Sequence, residues 1–162
     1  MSIPIIINNQ TIDFPSDGES PDWSGPVIQF AEAVAAALAI STNPFDVSPQ
    51  AFILDAYNSA SNVSIPALSF PISSVRAVFI RYSVYRTTNS TNADEAGDII
   101  ACYNPNNSVG LKWYISRGNI TGKGGQIAFN MTDSGQVQFS TTALAGSAHA
   151  GKIEFDARAF AQ

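Results

Sequence analysis

Between Val75 and Tyr85 the chain reads VRAVFIRYSVY, and its side chains sort onto two faces with a period of two. Val78, Ile80, Tyr82 and Val84 fall on one side and Phe79, Arg81, Ser83 and Tyr85 on the other, the spacing of an extended strand. Both sides carry large apolar groups. A sheet with one wet face therefore leaves Phe79 and Tyr85 in water unless a second layer or a second chain covers them. A cleaner alternation closes the chain, with Ile153, Phe155, Ala157 and Ala159 pointing one way and Lys152, Glu154, Asp156 and Arg158 the other. Such a charged face discourages edge-to-edge pairing.

Shorter runs repeat the pattern. Gln126 to Met131 and Gln136 to Ser140 predict a hairpin across Thr132-Asp133-Ser134-Gly135, with Ile127, Phe129, Val137 and Phe139 facing inward. Ile99 to Tyr103 and Val109 to Ser116 predict two further strands, separated by a turn at Asn104-Pro105-Asn106-Asn107. A tight turn is expected at Arg117-Gly118, and a polar loop from Arg86 to Asp98. Gln50 to Tyr57 fits a strand better than a helical turn, and Ile65 to Phe70 fits an edge segment leading into the Val75 strand. Prolines 44, 49, 66 and 71 keep regular elements short in this region.

The first forty residues differ. Ile3 to Phe14 alternates loosely, as a short hairpin or paired arm would, and Pro15-Ser16-Asp17-Gly18 breaks it. Ser20 with Pro21, or Ser24 with Pro26, can start a helix from about Gly25 to Ala39. Val27, Phe30, Val34 and Leu38 recur at helical spacing among alanines. That helix either lies on its own sheet or packs with identical helices at an axis. The expected organisation is an N-terminal arm and helix over residues 1–40, followed by an antiparallel β-sandwich or jelly roll over residues 41–162.

Composition sharpens the picture. Charged residues make up 13% of the chain, whereas Ser, Thr and Asn supply 40 of its 162 residues. Neutral polar groups cost less to desolvate than charges, so such a surface tolerates packing against other copies. The net charge of -5 argues against nucleic acid as a partner. All seven acids that precede Arg76 stand without any Lys or Arg, while eight basic residues meet six acids afterwards. An acidic front of this kind is either a solvated face or a surface that steers towards a basic partner. The start, MSIPIII, has no basic segment and reaches Asn8 too soon for an export signal. No apolar run approaches the ~18 residues of a membrane span.

Candidate chemistry is sparse. Cys102 is the only cysteine, which excludes an internal disulfide and suggests a buried thiol. His149 is the only histidine, and alone it makes neither a zinc site nor a nucleophile relay. Asp94, Glu95 and Asp98 lack the spacing of a calcium loop and read as solvated. Ile120 to Gly125 (ITGKGG) lacks the order of a phosphate-binding loop and reads as a hairpin tip. Tyr103, Trp113 and Tyr114 offer aromatic faces for a sugar, although alternation sends Trp113 and Tyr114 to opposite sides. No catalytic residue, metal or cofactor is expected.

The string INNQTIDFPSDGESPDWSGPVIQFAEAV, about residues 7–34, resembles the opening segment of a group of bacteriophage virion proteins. In these, an I-N-G…Y/F-P-x-x-G-(D/E)-x-x-W-(G)…A-x-A-V pattern precedes fibre-like or head-attached modules. The matching positions are Ile7, Asn8, Phe14, Pro15, Gly18, Glu19, Trp23, Gly25, Ala31, Ala33 and Val34, with Asn9 where the pattern has glycine. From about Ser74 onward the chain is similar in architecture to small trimeric jelly-roll heads of the tumour-necrosis-factor or complement-head type. The resemblance implies a virion structural protein, assembled in the host cytoplasm, that binds itself as a homotrimer and other virion proteins such as the major capsid protein. Shell docking or oligomerisation would fall to Ile5, Ile7, Phe14, Trp23, Val27, Phe30, Val34, Phe79 and Tyr85. Capsid decoration is the first expectation. A receptor-binding tail-fibre head, recognising host carbohydrate through Tyr103, Trp113 and Tyr114, is the alternative.

Overall fold

The computed structural model of the chain describes residues 3–7, 10–14, 24–40 and 43–161. They form two compact units, Met1–Pro44 and Phe45–Gln162. In the first, β1 (Ile3–Ile7) and β2 (Gln10–Phe14) form an antiparallel hairpin with Ile5 opposite Ile12, and α1 (Ser24–Ile40) touches both strands. The expected stripe does not bury as a stripe. Val27 and Phe30 are exposed and Val34 is half-buried, whereas Ala33 on α1 and Ile12 on β2 are buried. A methyl side chain lets a helix approach a hairpin more closely than Val or Phe would, which suits Ala33 to the buried position on α1.

The second unit is an antiparallel β-sandwich. One layer has five strands in the order β3 (Val47–Ile53), β10 (Ala150–Ala161), β5 (Val75–Thr87), β6 (Asn92–Tyr103) and β7 (Trp113–Gly122). The other has three, in the order β4 (Ala60–Ser69), β9 (Gln136–Thr141) and β8 (Ile127–Met131). The first and last strands of the unit pair, as do β4 and β9, while β5, β6 and β7 run as a meander within one layer. The core lies between the layers and includes Leu54, Ile65, Phe70, Val78, Ile80, Phe139, Ile153 and Phe155. Each such side chain contributes about 1.5–3 kcal/mol by leaving water.

The alternations at Val75 and Ile153 hold, and β10 lies beside β5 with Ile153 opposite Val84 and Ala157 opposite Ile80. β10 is interior to its sheet, so its charges line a face instead of guarding an edge. The segment from Ile65 to Phe70 is at an edge, as expected, and leads into β5, the edge being that of the three-stranded layer. Its register jumps around Pro66, which has no N–H to give, and the Gln136 side-chain amide donates to the carbonyls of Ile65 (2.8 Å) and Leu68 (3.2 Å) across the gap. Two expectations are corrected. The polar run after Tyr85 is mostly strand. Only residues 88–91 turn, closed by Thr88 N–H on the Thr91 carbonyl and by the Thr88 hydroxyl accepting from the Thr91 amide. Arg117-Gly118 is no turn either: β7 passes through it with a bulge opposite residues 96–98, where Asn119 takes a φ of 51°.

Candidate functional site

Pairing of β10, β5, β6 and β7 sets the outward side chains of the five-stranded sheet in rows, on the face turned away from the three-stranded layer. The first row holds Phe160, Ala77, Cys102 and Tyr114, and the next Arg158, Phe79, Ile100 and Ser116. Asp156, Arg81 and Asp98 follow, then Glu154, Ser83 and Ala96. Lys152, Tyr85 and Asp94 end the ladder, with Ile53 beside Lys152. Ile100, Tyr114 and Phe160 are 49%, 58% and 57% exposed, and Tyr85 and Ile53 are exposed as well. Phe79 is half-buried by its neighbours. Both apolar faces of the Val75 strand are real, and only one of them meets the core.

Most charges on this face pair within it, Arg158 and Asp94 having no ion partner among the described residues. Arg81 grips Asp156 with two nitrogens, Nε lying 3.0 Å from Oδ1. Lys152 Nζ reaches Glu154 at 2.5 Å, and the Asn119 amide donates to Asp98 at 2.5 Å. The hydrogen bond and charge of Asp156 hold Arg81 above its usual pKa, and those of Lys152 draw the Glu154 carboxyl down. A shallow groove of about 610 Å³ crosses β3, β10 and β5 between Ala51, Arg81, Ser83, Glu154 and Asp156.

Inside the sandwich lie two polar clusters that composition and spacing did not reveal. Arg86 is fully buried. Its guanidinium donates to the carbonyls of Asn58 (2.7 Å), Gly125 (3.0 Å), Thr142 (3.0 Å) and Gln126 (3.1 Å), and its Nε approaches His149 Nε2 at 3.4 Å. Burial draws its pKa down. His149 turns its other nitrogen to the Asp55 carbonyl at 3.1 Å, so this histidine braces the chain. Glu95, expected in a solvated loop, is buried and accepts from Tyr82 Oη (2.7 Å), the Gly125 amide (3.0 Å) and Arg117. Arg117 also donates to Tyr82 Oη at 2.6 Å and lies over the rings of Tyr82 and Phe129. Continuing the alternation of β5 one residue past Tyr85 places Arg86 inward, which is the signal that would have found it.

The aromatic trio separates. Tyr103 and Trp113 pack against each other in the core, with ring centroids 5.3 Å apart and Trp113 only 7% exposed, so neither offers a platform for sugar. Tyr114 is on the outward face. Cys102, expected to be buried, is exposed there too, because its pairing with Ala77 and Tyr114 turns it outward. The β6–β7 loop carries Val109, 87% exposed, and Leu111. Its shape is held by the Asp133 carboxylate, which accepts from the amides of Gly110 (2.6 Å) and Lys112 (3.1 Å).

In the first unit Ile5 and Val27 are exposed and available for contact. Trp23 and the side chains of Ile7 and Phe14 lie outside the described residues. Among the described residues no three His, Cys, Asp or Glu side chains converge as a metal site would require, and no helix is long and apolar enough to cross a membrane.

The sequence matches no family model and no curated protein. One solved structure, the crystal structure of the tailspike protein of Acinetobacter phage vB_ApiP_P1, is similar over 69% of this chain at 13% identity and a TM-score of 0.43. The chain spans 22% of that tailspike's length. A likeness at this level carries no argument about function.

Proposed function

We propose that this chain is a non-catalytic structural component of a bacteriophage virion, that it works as a homo-oligomer, and that its role is decoration of the capsid. The observation that carries this is the outward face of the five-stranded sheet, where large apolar side chains stand in water beside charges that are largely paired with one another. A monomer has no use for such a face, whereas a particle built of repeated subunits does. The resemblance of residues 7–34 to virion proteins supplies the setting. Exposed apolar groups on α1, Val27 and Ile28, would serve attachment to the shell. Support for a role without catalysis comes from His149, Arg86, Glu95 and Arg117, which are all committed to bracing contacts.

A receptor-binding head on a tail or fibre is the second possibility, favoured by Tyr114 and by the apolar tip at Val109 and Leu111 on a braced loop. Binding assays separate the two. Decoration gives saturable binding of the purified chain to empty shells and none to host cells. Adsorption to host cells that is lost in Tyr114→Ala, with no binding to shells, would overturn decoration in favour of the second. Locating the chain in an image of the virion checks either.

A further inference from the structure

We infer that identical subunits meet through the outward face of the five-stranded sheet, turning Phe79, Ile100, Cys102, Tyr114 and Phe160 towards one another around a common axis. This presupposes the homo-oligomer proposed above and names its contact surface. Size supports it first. Five strands about 4.8 Å apart and about ten residues long at ~3.3 Å per residue cover roughly 800 Å², which is what each partner contributes to a stable protein interface. Phe79, Ile100, Tyr114 and Phe160 lie at one end of that face, in two adjoining rows that span β10, β5, β6 and β7 and include Arg158, while Ile53 and Tyr85 stand at the other end.

Charge supports it next. Arg81 with Asp156, Lys152 with Glu154 and Asp98 with Asn119 are satisfied in the plane of the sheet. Arg158, Asp94 and Asp98 keep their charge without an ion partner among the described residues, and a second copy of the face brings both signs to meet them. Nucleic acid would need an excess of basic groups here, and that excess is missing. A face whose charges are largely paired in its own plane, and whose remaining charges are of both signs, is complementary to itself.

Cys102 provides a direct probe, because the chain's only thiol lies in the apolar rows and is open to reagent in a single subunit. The full-length wild-type chain is examined by light scattering after size exclusion, and its thiol is titrated with a water-soluble disulfide reagent. The expected result is an oligomer whose Cys102 reacts slowly. Ile100→Glu, and independently Tyr114→Glu, should weaken association by about 100-fold or more, because an unpaired carboxylate is expensive to bury, and should restore fast thiol reaction. Both substitutions place charge where a lone subunit is already wet, so cooperative thermal unfolding should persist, and Val109→Glu on the β6–β7 loop should change neither readout. A wild-type oligomer whose thiol reacts freely, or one that survives both substitutions, overturns this interface yet leaves assembly through residues 1–44 standing. A wild-type chain that is monomeric at micromolar concentration overturns both the interface and the homo-oligomer.

Discussion

Arg86 Nη2 donates to the main-chain carbonyl of Asn58 at 2.7 Å, and this bond ties the middle of the sandwich to the segment that joins β3 to β4. Among the described residues no carboxylate accepts from the guanidinium; carbonyl dipoles of Asn58, Gly125, Gln126 and Thr142 stand in for a counter-ion. Planar, diverging donors suit that arrangement, and a lysine ammonium cannot reach all four oxygens. Arg86→Met should cost about 3–5 kcal/mol, since buried carbonyls lose their donors. Arg86→Lys should recover little of it. Thermal unfolding checks both, with a fall in Tm of about 10 °C or more expected for a domain of this size.

Glu95 is buried and the half-buried Arg117 is its cation, so the carboxylate without that partner is a liability. Arg117→Met leaves the Glu95 carboxylate without its cation and should destabilise by about 3–5 kcal/mol. Adding Glu95→Gln should return part of that loss, and a double-mutant cycle in denaturant measures the coupling.

Tyr82 belongs to the same cluster. Burial pushes its phenol above the ordinary value of 10.0, against the opposing hydrogen bond from Arg117. The native state then holds a proton that the unfolded state has released, so stability is full below about pH 10 and falls as pH rises towards the native value. Tyrosinate absorbance should show one tyrosine titrating late, and Tyr82→Phe should remove that step.

Asp133 works in the opposite sense. The Gly110 and Lys112 amides hold its carboxyl below the usual 3.8, with the Gly110 bond the larger cause. Its support for the β6–β7 loop is present above the unfolded value and lost as pH falls through the native one. Hydrogen exchange at Gly110 and Lys112 should accelerate in acid, and Asp133→Ala should give the same acceleration at neutral pH.

Two glycines separate strain from collision. Gly124, at φ 87°, has open space where a Cβ would stand, so Gly124→Ala should cost only about 1 kcal/mol. At Gly135, φ 93°, a Cβ would run into the Phe70 carbonyl, in a turn whose Gly135 carbonyl accepts from the Phe70 amide at 2.9 Å. Gly135→Ala should therefore cost about 3 kcal/mol or more, read as a shift in denaturant midpoint.

Much of the β layer could be read directly. Val78 to Val84 and Ile153 to Ala159 each bury one face, so their alternation announces which way every side chain points. The run Ile99-Ile100-Ala101-Cys102-Tyr103 has no alternation, and only its pairing with β5 reveals that Ile100 and Cys102 face outward while Ile99, Ala101 and Tyr103 face the core. Trp113 and Tyr103 looked like ligand contacts because aromatic residues next to turns serve both purposes, and burial alone tells them apart.

Read alone, the chain settles what periodicity and composition control: antiparallel strands, one helix near the start, and more apolar surface than one layer can hide. Local spacing suffices for these, because each depends on neighbours within a few residues. The tertiary fold decides which distant groups meet. Arg86 finds its acceptors as far away as Thr142, Glu95 is buried beside Arg117, and ion pairs form in the plane of the outward sheet face. These follow from strand order and register, which place residues tens of positions apart within hydrogen-bonding distance, and no local pattern encodes that.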